Sequence, residues 1–125
     1  MRAELSKHAG FCPGVKRAVD AAIALTEKNV YILGEIIHNE SVLKSLENKG
    51  VKTVYSLDDI SDGTVIIRSH GEGKKTFDEL HKKGVKVVDM TCPFVKKIHD
   101  IVEKYHNLGY KIIIVGQKNH PEVTG

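Results

Sequence analysis

Two cysteine–proline steps, Cys12-Pro13 and Cys92-Pro93, constrain this chain more than any other feature. Each follows a weakly or strongly apolar stretch and opens a run with helical spacing. Proline at the first helical position lacks only an N–H that has no partner there, and its fixed φ suits the turn. The preceding cysteine is thereby set at the amino end of a helix. Free N–H groups and the positive end of the helix dipole favour a thiolate at that position. A thiol so placed suits a nucleophile or a metal ligand.

The device belongs to a longer repeat. Superposing Cys12 on Cys92 also superposes Pro13 on Pro93, Val15 on Val95 and Lys16 on Lys96, an offset of 80 residues. Further on, Gly34, His38 and Glu40 fall on Gly116, His120 and Glu122 at an offset of 82. Each unit reads strand, Cys-Pro, helix, strand, glycine, His-x-Glu, which is an internal repeat of long period. The spacing predicts a short strand over 3–9, a helix from Cys12 to Lys28 and a buried strand over 30–33. A helix opened by Asn39 or Ser41 and stopped by Gly50 follows, then a strand over 51–55 and a capped turn over 56–60. Next come a strand over 64–68, a helix over 74–83, a strand over 85–89 and a helix over 93–108 that turns Val95, Ile98, Ile101, Val102 and Tyr105 inward. Tyr110 to Val115 reads as a strand in the middle of a parallel sheet. Strand and helix alternate throughout, so the expected fold is α/β with mostly parallel sheets. Residues 1–91 form a first α/β unit and 92–125 the start of a second, and the chain reads as a piece of a longer protein.

Composition narrows the function. A net charge of +3 with lysines scattered along helical faces gives no footprint for nucleic acid. The amino end lacks the apolar core of a secretory signal, and no run is long enough to span a membrane. The expected compartment is the cytoplasm, where a Cys12–Cys92 disulfide is disfavoured.

Parallel α/β sheets gather ligands at the carboxyl ends of their strands. Cys12, His38, His70, Cys92 and His120 each follow an expected strand, so these five side chains are expected on one rim. Two thiolates can hold iron–sulfur, zinc or nothing. The Cys-x2–4-Cys spacing of zinc knuckles and the cysteine runs of ferredoxins are both absent. A third Cys-Pro-like unit past residue 125 would complete a three-cysteine cluster with one iron open to substrate. His38, His70 and His120 can donate to an anion such as phosphate, and Glu122 can carry a proton toward the same place. His8, His81, His99 and His106 read as surface or packing residues. The segment Gly71-x-Gly73-Lys74 is neither a Walker loop nor a dinucleotide fingerprint, since Arg68 and Thr76 occupy positions that need glycine.

The ordered motifs Gly10-Phe11-Cys12-x-Gly14-Val15-x-Arg17-Ala18, His38-Asn39, Ser69-His70-Gly71, Asp89-x-Thr91-Cys92-Pro93 and His120-Pro121-Glu122-Val123-x-Gly125 cover the whole chain. They resemble the signatures of the 4-hydroxy-3-methylbut-2-enyl diphosphate reductases, the IspH or LytB family. The resemblance implies three pseudo-symmetric α/β domains, of which this chain holds the first one and a half. It implies a 4Fe-4S cluster held by three cysteines, with Cys12 and Cys92 as two of them and the third absent here. It assigns His38, His70 and His120 to the substrate's diphosphate and Glu122 to proton delivery. The implied reaction is reductive dehydroxylation to isopentenyl and dimethylallyl diphosphates, with electrons from a ferredoxin- or flavodoxin-type donor. The piece alone is expected to be inactive. The alternative is a non-catalytic α/β module that binds zinc through Cys12, Cys92 and two histidines, or binds an anion.

Overall fold

Four runs of four residues make the sheet. In the computed structural model, which describes residues 2–124, β1 (Val30–Leu33), β2 (Val51–Val54), β3 (Thr64–Ile67) and β4 (Lys86–Asp89) pair in parallel in the order β2-β1-β3-β4. The central strands β1 and β3 are buried at every residue. Strands covered on both faces need apolar side chains at successive positions, hence their unbroken Val/Ile/Leu character.

Helices α1 (Pro13–Ala24) and α2 (Glu40–Asn48) set Ala18, Val19, Ala22 and Leu46 against Val30, Ile32, Val51 and Ile66. Ile60, after a 3-10 turn at Leu57–Asp59, and Leu80 of α3 (Lys74–Lys82) pack with Tyr31, Leu33, Val65 and Ile67. Residues alternating along β1 and β3 thus enter two separate cores, one on each face of the sheet. Helix α4 (Pro93–Asn107) and the single turn α5 (Pro121–Thr124) follow. Helix starts are set locally: the Asn39 side chain accepts from the Val42 N–H at 3.2 Å, and the Ser56 hydroxyl accepts from the Asp58 N–H at 3.1 Å.

The winding positions a site. From β1 the chain crosses to β2 at one edge, then returns past β1 to β3 and on to β4. Its direction therefore reverses between β1 and β3, and ligands of open α/β sheets bind outside the carboxyl ends at such a reversal. Leu33 pairs with Val54 and Ile67, and Ile67 pairs with Asp89, so all four strands finish on one level.

Four expectations are corrected. Residues 3–9 form no strand and lie exposed, because no strand among the described residues runs beside them. Residues 110–115 are likewise irregular, with Ile113 88% and Val115 95% exposed. Hydrophobicity alone does not make a strand when no neighbour supplies ladder hydrogen bonds. Helix α1 ends at Ala24, not Lys28. Glu27 is drawn out of any helical path by the Thr64 hydroxyl and by Lys86 at 2.6 Å, at the amino ends of β3 and β4. On α4 only Val95 is buried; Ile98, Ile101 and Tyr105 face outward, and Tyr105 stacks edge-on with Tyr110 at 5.4 Å between centroids.

Candidate active site at the strand ends

Cys12 and Cys92 are the N-cap residues of α1 and α4, each followed by proline at the first helical position. The two helix starts adjoin. A Cβ placed on Gly14 would lie 3.2 Å from Cys92 Sγ, so the first turn of α1 lies directly against that sulfur. Cys12, two residues earlier, is exposed; Cys92 is half-buried, and both are free thiols.

The loop carrying Cys92 is held from three sides. The Cys92 N–H donates to the Ser69 carbonyl at 2.8 Å, tying it to the loop after β3. Arg17 of α1 donates from Nη2 to the Thr91 carbonyl at 2.6 Å. Asp89 Oδ1 accepts from both the Thr91 N–H, at 2.9 Å, and the Thr91 hydroxyl, while Oδ2 accepts from Lys96 Nζ at 3.1 Å. Burial pushes the Asp89 carboxyl up, but the Thr91 and Lys96 hydrogen bonds outweigh it and hold the group below the usual aspartate value. Asp89→Ala is expected to lower stability by roughly 1.5–3 kcal/mol, the cost of losing hydrogen bonds to a charged group. Urea denaturation at neutral pH checks this.

The histidines occupy the loops at the winding reversal. His38 follows β1 and His70 follows β3; His120 reaches the same place from the turn before α5, with its ring centroid 6.3 Å from that of His70 and nearly perpendicular to it. The expected strand before His120 is not formed, so this histidine arrives by tertiary placement. His120 Nδ1 accepts from the Glu122 N–H at 3.2 Å, which leaves Nε2–H as the outward donor of the neutral ring. His70 is held below the ordinary imidazole range, first by burial and then by the Arg68 charge. Glu122 opposes that shift while His120 and His38 add to it, so all four groups sit within electrostatic reach of His70. His70 Nδ1 is buried with no hydrogen-bond partner among the described residues.

Beside His70 lies a group that motif reading passed over. Gly34 ends β1 with φ +72°, and the Arg68 guanidinium lies over it: a Cβ there would come 2.6 Å from Nη1. Only glycine permits both the backbone and the stacking. Arg68 Nη1 donates to the Glu35 carbonyl at 3.5 Å, and Nη2 pairs with Glu72 at 3.8 Å. They border a cleft of about 280 Å³ that also takes in Tyr55 and Thr76. The Glu35 carboxylate meets His38 Nδ1 at 2.7 Å and accepts from the Tyr55 hydroxyl at 3.2 Å. Glu35 lies three residues before His38, and that spacing was the available sequence signal; Arg68, 33 residues away, gave none.

His8, His81 and His106 are exposed, as expected of surface residues. His99 packs on Gly71, with Cε1 3.1 Å from where a Cβ would stand. Among the described residues no three of the His, Cys, Asp and Glu side chains come together in a way that could hold a metal ion. No helix among the described residues is long and apolar enough to cross a membrane.

A parallel sheet alternating with helices, with His38, Arg68, His120 and Glu122 in electrostatic reach of His70 past the strand ends, defines an α/β protein. The family model described as LytB protein matches residues 4–125, and the chain belongs to that family. It is 52% identical to the 4-hydroxy-3-methylbut-2-enyl diphosphate reductase of Thermoanaerobacter sp. (strain X514), covering all of this chain and 46% of that protein. Against the same enzyme of Clostridioides difficile (strain 630) it is 49% identical, again over all of this chain and 46% of the relative. A solved structure of (E)-4-hydroxy-3-methyl-but-2-enyl diphosphate reductase, the terminal enzyme of the non-mevalonate pathway, superposes with a TM-score of 0.83 at 46% identity, over 95% of this chain and 43% of that one. The Plasmodium falciparum E-1-hydroxy-2-methyl-but-2-enyl-4-diphosphate reductase superposes with a TM-score of 0.85 at 35% identity, over 94% and 38%. The chain thus spans about half the length of the curated relatives it matches.

Proposed function

We propose that this chain forms part of a longer protein that reductively removes the hydroxyl of 4-hydroxy-3-methylbut-2-enyl diphosphate, giving isopentenyl and dimethylallyl diphosphates. The observation that carries the reading is the meeting of the two thiol-bearing helix starts, through Gly14 and Cys92, on the rim that also holds His38, His70, His120 and Glu122. The relatives' names supply the substrate. The reaction breaks one C–O bond and consumes two electrons and two protons, and the hydroxyl leaves as water.

Cys12 and Cys92 would hold an iron–sulfur cluster of the 4Fe-4S type, with a third cysteine from outside this chain. Both thiols are free, and the chain lacks the Cys-x2–4-Cys spacing of zinc knuckles, which suits a cluster shared with a further cysteine. When bound, such a cluster supplies electrons one at a time and an iron that acts as a Lewis acid. A ferredoxin- or flavodoxin-type protein would deliver the electrons, and the chain alone would be inactive.

The remaining steps belong to residues of this chain. His120 offers Nε2–H, while His38 and His70 complete a set of donors for the diphosphate. Fixing that anion places the far end of the substrate, and positioning of this kind accounts for much of the rate gained by an enzyme. Glu122, on the first turn of α5 beside His120, carries the proton that lets the hydroxyl depart. Residues 1–91 form the first α/β unit of the longer protein and 92–125 open the second. The work belongs in the cytoplasm, on a small molecule, with no nucleic acid or membrane involved.

Metal analysis of the longer protein, purified without oxygen, tests the assignment. Iron with acid-labile sulfide and a broad visible absorption is expected. Zinc with no colour would instead establish the zinc-binding module.

A further inference from the structure

The loop after β1 contains a carboxylate that neither the motifs nor the proposed reaction uses. Glu35 lies between Gly34, whose φ of +72° turns the chain, and Ile36, which is 1% exposed. Its backbone and side chain are both engaged. The carbonyl accepts from Arg68, whose guanidinium fills the space over Gly34. Oε1 accepts from the Tyr55 hydroxyl at the end of β2. Oε2 meets His38 Nδ1 at 2.7 Å, the only one of the three rim histidines with a carboxylate ion-pair partner among the described residues. His38 is itself 92% exposed, so packing does little to orient its ring.

We infer that Glu35 is a positioning residue: braced by Tyr55 and Arg68, it fixes the ring of His38 with Nδ1–H inward and Nε2 directed at the diphosphate. This rests on the reading of His38 as a diphosphate contact. With Nδ1–H bonded to Glu35, the ring donates from Nε2 to the diphosphate when both nitrogens carry protons. The carboxylate also removes the rotational freedom that an exposed ring would lose on binding. The arrangement parallels the carboxylate behind a metal-ligating histidine, where the outer partner sets tautomer and direction. His120 is oriented differently, by a backbone N–H on Nδ1. Two histidines of one site therefore receive opposite tautomer settings when neutral: Nδ1–H for His38 and Nε2–H for His120.

The test uses the longer protein with its cofactor and inorganic pyrophosphate as the probe. Glu35→Gln is expected to weaken pyrophosphate binding about three- to tenfold, at or below the low end of the range for outer partners because the pair is exposed. In a His38→Ala background, Glu35→Gln is expected to cause no further weakening. Tyr55→Phe, which removes one hydroxyl from a largely exposed side chain, is expected to act in the same direction but by less than about twofold. Nitrogen-15 spectra of neutral His38 should show Nδ1–H in the parent and a mixture of tautomers in Glu35→Gln. Equal weakening by Glu35→Gln in both backgrounds, or an unchanged His38 tautomer, overturns the positioning role. Full-strength binding by His38→Ala alone overturns instead the reading of His38 as a diphosphate contact.

Discussion

Cys92→Ala in the longer protein is expected to lower turnover of the diphosphate substrate by more than about a thousandfold, with matching loss of iron. Outer partners of metal ligands cost about 10–100-fold when removed, and a direct ligand costs more. The fold should tolerate the change. The side chain is half-buried, its sulfur lies against the hydrogen-only side of Gly14, and the backbone bond to Ser69 does not depend on the thiol. Far-ultraviolet dichroism should therefore be unchanged while the visible absorption fades. Cys12→Ala should match it, since both residues cap a helix with proline next in line. A colourless Cys92→Ala variant that still turned over substrate would remove the cluster from the reaction.

Glu122→Gln is expected to lower kcat by about 10²- to 10⁴-fold, the usual range for a positioned proton donor. The amide keeps the size of the side chain and leaves the backbone N–H that holds His120 in place, so pyrophosphate affinity should change little. This split separates proton delivery from anion binding: loss of affinity with kcat unchanged would assign Glu122 to the binding set. Iron content must equal that of the parent for the comparison to count.

The features that were legible in the sequence are those decided by neighbours in the chain. Pro13 and Pro93 mark helix starts through their own ring geometry, and Asn39 caps α2 by accepting from an N–H only three residues on. The central strands announced themselves because burial on both faces demands an unbroken apolar run. That logic misled at 110–115, where the apolar run is present and no paired neighbour is found among the described residues. A strand is a property of two segments, and periodicity reads only one. The end of α1 failed similarly: helical spacing continues past Ala24, but Glu27 is held by Thr64 and Lys86, 37 and 59 residues away.

The candidate site divides along the same line. Residues with distinctive chemistry in a repeated setting, Cys12, Cys92, His38 and His120, stood out, as did His70 after its apolar run. Those that hold them did not. Arg68 figured only as the residue that spoils a phosphate-loop pattern, yet it lies over Gly34, grips the Glu35 carbonyl and bears electrostatically on His70. Asp89 was visible as part of a motif, but its hold on Thr91 and Lys96 is a matter of side-chain direction.

The most direct test is an anomalous difference map at the iron absorption edge, from crystals of the longer protein grown without oxygen and soaked in inorganic pyrophosphate. The account predicts one compact group of iron peaks in bonding contact with both Cys12 Sγ and Cys92 Sγ, and pyrophosphate density touching His38, His70 and His120. Iron bound to neither sulfur, or pyrophosphate seated away from all three imidazoles, would contradict it.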